Sequence, residues 1–221
     1  MGDILSNYDV LGAFWVTIQL SVLSAIGSLV IGTVVAVLRV SPVPVLQLIG
    51  TSYVNVFRNT PLTLLMVFSI LGMSFILGLQ ISDQATTNSF WWAIIVLSLY
   101  HAAFVCEALR SGVNTIPAGQ AEAARSIGLT FGQSLREVLL PQAFRGAIAP
   151  LGSTLIALIK NTTVAAVILG TAEAAGLLAE ITENEGASLP TFFLFAIGFV
   201  ILTLPLGVMF TNMSRRLAVK R

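Results

Sequence analysis

Charged residues are scarce in this sequence. Only 10% of the 221 residues are Asp, Glu, Lys or Arg, whereas soluble domains carry about 25%. The hydrophobic fraction is 56% and the mean hydropathy is +0.93. One water-soluble globule would keep too little polar surface with this composition, so lipid must be the solvent for much of the chain. We therefore expect an all-α, polytopic membrane protein.

Side chains for metal, redox and nucleic-acid chemistry are also scarce. Cys106 is the single cysteine and His101 the single histidine, and neither has a partner at a metal-ligand spacing. The net charge of +1 argues against a nucleic-acid surface. The sequence contains no Gly-x4-Gly-Lys-Ser/Thr phosphate loop. We expect no metal, no cofactor held by this chain, no nucleic-acid partner and no enzymatic activity.

Five apolar runs are long enough to cross a membrane, for which about 20 residues are needed. The predicted spans are residues 10–38, 59–82, 86–109, 147–171 and 188–213, all within one transmembrane domain, 1–221. The uncharged stretch 40–57 is broken by prolines and polar residues, and we interpret it as an interfacial connector into the second span.

The basic residues orient these spans. Apart from Lys160, which lies inside the fourth span, every Lys and Arg falls on one side. They are Arg39, Arg58, Arg110, Arg125, Arg136, Arg145, Arg215, Arg216, Lys220 and Arg221. Loops rich in Lys and Arg face the cytoplasm. The N-terminus is therefore predicted to be outside and the C-terminus cytoplasmic.

The loop 114–145 is the largest polar segment, and it is predicted to be cytoplasmic. Residues 120–127 form an alanine-rich helix, which Gly128 ends. Thr130 and Gln133 form a capping box for a second helix, and Pro141 redirects the chain toward the fourth span. This helical hairpin either lies on the inner leaflet or docks onto another protein. Its small side chains favour docking.

Motifs in this loop resemble a known family. Glu122-Ala123-Ala124, three residues, Gly128, nine residues and "VLLP" resemble the EAA loop of ABC importer permeases, whose pattern is Glu-Ala-Ala-x3-Gly-x9-Ile-x-Leu-Pro. Val138 replaces the isoleucine. The stretch "FRNTPL", 57–62, is similar to the Arg-Gly-Thr-Pro motif of polar amino acid permeases. "LIALIKNTT", 155–163, looks closest to glutamate-type permeases.

The resemblance implies a permease domain in a bacterial cytoplasmic membrane. It implies a second permease subunit, identical or different, two cytoplasmic ATPase subunits that bind ATP and Mg²⁺, and an extracellular or periplasmic substrate-binding protein. The substrate would be glutamate or another polar amino acid. The residues expected to couple the permease to the ATPase are Glu122, Ala123, Ala124, Gly128, Leu140 and Pro141.

Polar residues within or beside the spans are candidates for the substrate path. They are Arg58, Thr60, Glu107, Ser153, Lys160, Asn161 and Thr163. Lys160 follows Pro150 by about ten residues, or roughly 15 Å of helix, which places it near the midplane. Lys160 offsets the charge of a substrate carboxylate, is tied to a carbonyl or a glutamate on another helix, or snorkels to the inner surface. Glu107 and Arg110 are either a simple ion pair or part of an inner gate.

Two other functions remain open at this point. One is an ion-coupled secondary amino acid transporter with Lys160 as a charge relay. An odd number of spans and the lack of a visible inverted repeat argue against it. The other is a membrane adaptor that transports nothing.

Overall fold

The structure is a computed structural model that describes residues 2–217, and this part of the chain is helical with no strand. Lys220 and Arg221, which entered the charge argument, lie outside the described residues. In chain order the helices are α1 Gly2–Asn7, α2 Val10–Val40, α3 Pro44–Asn59, α4 Leu62–Val67 with a π-helical continuation Phe68–Ile76, α5 Ala85–Val113, α6 Ala118–Ser126, α7 Phe131–Gln133 with a π-helical continuation Ser134–Leu139, α8 Leu140–Asn161, a 3₁₀ turn Thr162–Ala165, α9 Ala166–Leu169, a 3₁₀ turn Gly170–Ala172, α10 Ala174–Glu185 and α11 Leu189–Leu217.

Four helical runs are long and apolar enough to cross a membrane. They are Val10–Val40, Ala85–Val113, Phe131–Ala172 and Leu189–Leu217, and they contain most of the predicted first, third, fourth and fifth spans. The expectation of an all-helical polytopic protein is confirmed for residues 2–217. By length and composition there are four candidate spans among the described residues, or five if one bent helix pair is counted as a span.

The bent pair occupies the region of the connector and the predicted second span. α3 and the run Leu62–Ile76 meet at 100°. Pro61 disfavours helical geometry at the residue before it, and Thr60 is extended there, with φ −101° and ψ 131°. The straight run is only Leu62–Ile76, shorter than the predicted 59–82. At 1.5 Å per residue it measures roughly 22 Å, less than the ~30 Å of a hydrocarbon core.

The centre of the fold is the parallel contact between α2 and α5. A Cβ on Gly27 would lie 2.4 Å from Ser98 Oγ, and a Cβ on Gly32 would lie 2.6 Å from Val105 Cβ. Side chains larger than glycine therefore do not fit at these points of closest approach. α8 packs on α5 and to a smaller extent on α2, and α11 packs mainly on α8.

The second half of the hairpin and α8 form one uninterrupted helical run, Phe131–Ala172. The prediction that Pro141 redirects the chain is therefore wrong. The N–H of Leu140 donates to Leu135 O, five residues back. Proline lacks an N–H and clashes with the carbonyl four residues earlier in an α-helix. The π-helical turn just before Pro141 relieves this conflict, so the helix continues through the proline.

Glu173 caps α10 at the far end of this run, where α10 is hydrogen-bonded to α2. Its side chain is fully buried, and its Oε1 accepts from the N–H of Gly176 at 2.7 Å, which caps α10. The next residue, Ala174, donates its N–H to Thr17 Oγ1 on α2 at 3.2 Å. No hydrogen bond to Oε2 comes from any described residue. Burial raises the pKa of this carboxyl to about 7, against the hydrogen bonds from the start of α10.

This pKa makes the stability of the fold depend on pH. The folded state holds a proton on Glu173 up to about pH 7, whereas the unfolded chain releases it near the usual value of 4.5. The stabilisation is full below pH 4.5 and is lost as the pH rises toward 7.

We expect the detergent-solubilised protein to melt at a lower temperature at pH 8 than at pH 5. Glu173→Gln, which is neutral at every pH, should flatten this slope and melt above wild type at pH 8. Glu183→Gln, an exposed change on the same helix, is the matched control. An unchanged slope in Glu173→Gln would contradict this assignment.

Candidate functional site

The polar loop folds into the predicted hairpin, and its turn is fixed at both ends. α6 ends in a Schellman motif, in which the N–H of Leu129 donates to Ala124 O at 3.1 Å and the N–H of Gly128 donates to Arg125 O at 3.0 Å. Gly128 has φ +89°, a conformation that residues with a side chain rarely adopt. The prediction that Gly128 ends the first helix is confirmed.

A capping box opens the second half of the hairpin, as predicted. Thr130 Oγ1 accepts from the N–H of Gln133, and Gln133 Oε1 accepts from the N–H of Thr130 at 2.9 Å. Both backbone groups would otherwise lack an intrahelical partner. The two caps together set the direction in which the hairpin turns.

The residues of the Glu-Ala-Ala motif divide between two faces of α6. Glu122 and Ala123 are exposed, whereas Ala124 is buried, as are Ser134 and Leu135 in the π-helical turn against which α6 packs. Ala124 therefore allows close packing inside the hairpin. We expected the small side chain of Ala124 to let another protein approach, but Ala124 faces the other half of the hairpin. Bulk at Ala124 would push the two halves apart.

Two apolar side chains at the tip of the hairpin were not singled out from the sequence. Ile127 is 78% exposed and Phe131 is 41% exposed, and both flank the turn at Gly128. An exposed isoleucine costs hydration free energy unless something covers it. The sequence did contain a signal for Ile127, because it is a large aliphatic residue directly before the glycine that ends the helix. The exposed tip is therefore a surface suited to contact with another chain.

A second polar group lies where α2, α3 and α5 end. Glu107 Oε1 contacts Arg39 Nη1 at 2.6 Å and Arg58 Nη1 at 3.5 Å, while its Oε2 contacts Arg110 Nη2 at 3.0 Å. The predicted pairing of Glu107 with Arg110 is present. The sequence did not indicate Arg39, which is 68 residues away. One carboxylate thus joins three helices.

Lys160 has a different environment. Its side chain is exposed on α8, and no described residue forms a hydrogen bond or an ion pair with its ammonium group. Ser153 is exposed on the same face of α8 and borders a groove of about 320 Å³ between α8 and α11. The chain therefore presents an uncompensated cation on an open helix face, in a run apolar enough to cross a membrane.

The other substrate-path candidates are not gathered around Lys160. Asn161 Nδ2 lies 3.2 Å from His101 Nε2, so Asn161 is turned toward α5. Thr163 donates its hydroxyl to Lys160 O at 2.7 Å. Thr60 donates its hydroxyl to Val56 O at 2.8 Å, at the bend after α3. These three side chains are engaged within the chain. Ser153 also donates its hydroxyl within α8, to Ala149 O at 3.3 Å. Of the candidates on α8, only Lys160 has a polar group with no partner among the described residues.

The proteins to which this chain is similar are all membrane components of transport systems. The family described as binding-protein-dependent transport system inner membrane component matches residues 28–219. The glutamate transport system permease protein GluC of Corynebacterium glutamicum is 49% identical over 96% of both chains, and that of Corynebacterium efficiens is 50% identical over the same shares. A crystal structure of an amino acid ABC transporter with histidines contains a chain with a TM-score of 0.78 and 25% identity, covering 94% of this chain and 93% of that chain.

The turn of the hairpin yields a structural prediction. A Cβ at Gly128 would meet nothing within 4 Å, so only the positive φ opposes a side chain there. Left-handed backbone costs ordinary residues roughly 1–2 kcal/mol, and Asn tolerates it better than others. We expect Gly128→Val to expose the hairpin to limited proteolysis and Gly128→Asn to do so far less. Gly132→Val, with equal space but no positive φ, is the control. Equal cleavage of all three variants would show that the glycine conformation is not what holds the turn.

Proposed function

The chain belongs to the binding-protein-dependent transport system inner membrane component family, and on that premise we propose that it is the permease subunit of an ATP-driven glutamate importer. Members of this family are multi-pass permeases of bacterial inner membranes that work with a partner ATPase and a substrate-binding protein. ATP is hydrolysed by the ATPase. The observation that carries the choice of glutamate is the near-50% identity to glutamate permeases along almost the whole chain.

In the proposed assembly this chain pairs with a second permease subunit, identical or different, above two cytoplasmic ATPase subunits. Open surface on the last helices supports this. Only 6% of the most apolar part of α11 is buried within the chain, and the open groove between α8 and α11 is lined by the small residues Ala149 and Ser153. Small residues next to an open groove allow another membrane helix to approach closely.

The proposed orientation has the N-terminus outside and the C-terminus cytoplasmic. Its support is the placement of basic residues. Arg39, Arg58 and Arg110 meet at one end of the bundle, the end from which the chain continues into the hairpin. This orientation places the hairpin on the same side as the ATPase.

The hairpin is the proposed coupling element. Glu122, Ala123, Gly128 and the exposed Ile127 would contact the ATPase, with Leu140 and Pro141 at the base of the hairpin and Ala124 holding its two halves together. Because Phe131–Ala172 is one helical run, movement of the hairpin would be transmitted directly along α8. From Ser134 to Lys160 this run extends roughly 40 Å at 1.5 Å per residue.

Lys160 is the proposed charge partner of the substrate carboxylate. A lysine at the centre of a membrane helix costs about 2.5–3.5 kcal/mol on insertion scales, and no described residue of this chain compensates it. A substrate with two carboxylates and one ammonium group would offset this charge. Ser153 would line the same side of the path. Thr60, Asn161 and Thr163 would shape the path around the bend after α3 and the end of α8. Arg58 and Glu107 belong to the ion-pair group at the ends of α2, α3 and α5, away from this part of the path.

Reconstitution with the partner subunits tests the transport function and the role of Lys160. We expect glutamate uptake to require ATP and to persist when a protonophore and a sodium ionophore collapse the ion gradients. Lys160→Gln should lower uptake at least tenfold, because a substrate carboxylate would lose its cation, and Lys160→Arg should retain much of it. Arg145→Gln, an exposed change on the same helix, should transport normally. Uptake that fails with the ion gradients while ATP remains would refute the ATP-driven importer, and normal uptake by Lys160→Gln would refute only the role of Lys160.

The coupling role predicts a specific defect at the hairpin tip. Covering an exposed isoleucine contributes about 1.5–3 kcal/mol, so Ile127→Asp should weaken association with the ATPase tenfold or more. The melting temperature of the isolated permease should change little, because the Ile127 side chain is 78% exposed. Ser126→Asp, a neighbouring exposed change, separates the loss of apolar contact from added charge. The measurement is co-purification of the ATPase together with ATP hydrolysis stimulated by the loaded binding protein. Full stimulation in Ile127→Asp would argue against docking through the tip.

A further inference from the structure

The arginine cluster, defined as Arg39, Arg58 and Arg110 around Glu107, carries more positive charge than its carboxylate neutralises. Three guanidinium groups and one carboxylate give a net charge of +3 − 1 = +2. No second carboxylate among residues 2–217 lies within ion-pair distance of any of the three arginines. The cluster therefore has capacity for a further anion.

The donors of two arginines are largely unused. Arg39 is well buried and forms the short contact to Glu107, whereas the side chains of Arg58 and Arg110 are 46% and 45% exposed. The 3.5 Å between Arg58 Nη1 and Glu107 exceeds the usual length of an N–H···O hydrogen bond. Each guanidinium has five N–H donors. Arg110 donates its Nε–H to Glu107 Oε2 at 3.0 Å and has Nη2 at 3.0 Å from the same oxygen. The remaining N–H groups of Arg58 and Arg110 have no partner among the described residues, and both side chains are nearly half exposed.

Local structure holds these donors in place. All three arginines lie in the last turn of their helices, where the partial negative charge of the helix end favours a cation. The helix ends offset part of the surplus charge, yet no described carbonyl accepts a hydrogen bond from Arg58 or Arg110. The Arg58 guanidinium also lies 5.6 Å from the centre of the Phe104 ring. The site is therefore pre-organised for an acceptor of several hydrogen bonds.

We propose that Arg58 and Arg110 bind the phosphate of an anionic phospholipid at the end of the bundle where α2, α3 and α5 meet. Arginine binds phosphate oxygens through two parallel N–H groups, and basic pockets between membrane helices bind lipid headgroups in this way. The depth fits a headgroup, because α2 and α5 both cross the membrane and end here.

The adjoining helix favours a lipid over a soluble anion. α3 carries Arg58 in its last turn and exposes four large aliphatic side chains along its length, Val45, Leu48, Ile49 and Val56. α3 is anchored to the bundle, since Tyr53 Oη donates to Leu99 O at 2.7 Å. A phospholipid supplies both an oxyanion for the arginines and acyl chains for exposed aliphatic residues. Phosphate or a free amino acid supplies only the first.

The test uses the complete transporter complex in detergent, stripped of lipid and titrated with phosphatidylglycerol or phosphatidylcholine, with bound lipid counted by native mass spectrometry. We expect wild type to retain phosphatidylglycerol at least tenfold better than phosphatidylcholine. The double variant Arg58→Gln/Arg110→Gln should lose this preference. Arg145→Gln and Arg215→Gln, which remove exposed arginines outside the cluster, should keep it. The proposal would be overturned if wild type did not prefer phosphatidylglycerol over phosphatidylcholine. It would also be overturned if the double variant kept that preference. Neither outcome can be explained by misfolding of a variant.

Competition identifies the source of the anion. Inorganic phosphate or glutamate that displaces phosphatidylglycerol from wild type at millimolar concentration would show a site for soluble anions and overturn the assignment to lipid. Loss of the second permease or the ATPase from the double variant, with its lipid preference unchanged, would show that the arginines bind a protein carboxylate instead. Arg58→Lys/Arg110→Lys keeps the charge without the planar donors, and it should bind phosphatidylglycerol more weakly than wild type and better than the glutamine variant.

Discussion

The close contact between α2 and α5 is the constraint on which the other helices depend. Glycines at positions 27 and 32 let the two backbones approach until Ser98 and Val105 fill the space that side chains would need. Lipid supplies no hydrophobic force between helices, so this packing must come from van der Waals contact between small residues. α3 then rests on both helices, and α8 packs on α5. The parallel course of α2 and α5 also brings their last turns together, which allows Glu107 to contact Arg39 and Arg110 at once.

Features with a local cause could be predicted from the sequence. Runs of apolar residues indicate spans because hydropathy is additive along the chain, and the glycine and the capping box of the hairpin act within five residues. Pro61 indicates a break, but the 100° angle at that break depends on how α3 packs against α2 and α5. Pro141 was misinterpreted for a related reason, because a π-helical turn just before it lets the helix continue.

In the candidate site, too, features with a local cause could be predicted, whereas features that depend on packing between distant segments could not. Gly128 could be assigned from its own position, whereas the exposure of Ala124 depends on Ser134 and Leu135 on the other half of the hairpin. Arg39 could not be paired with Glu107 from sequence, because that contact needs two spans to end at the same level. Asn161 illustrates the limit of residue type alone. It has the chemistry of a binding residue, yet it faces His101 inside the bundle.

The arginine cluster and Lys160 differ in what compensates their positive charge, and this difference separates their proposed roles. The arginine cluster contains its own carboxylate, Glu107, and lies at helix ends, where headgroups and water can reach it. Its arginines are therefore partly compensated even when no lipid phosphate is bound. Lys160 has no acceptor among the described residues and lies on a run that crosses the membrane, where an unpaired cation is costly. Because no residue among 2–217 compensates it, we propose that the compensation comes from a second subunit or from the molecule being moved. The helix that carries Lys160 is also the one that continues into the hairpin. In the proposed mechanism, an event at the hairpin and an anion at Lys160 would act on the same helical run, and this shared run would be the physical basis for coupling the two sites.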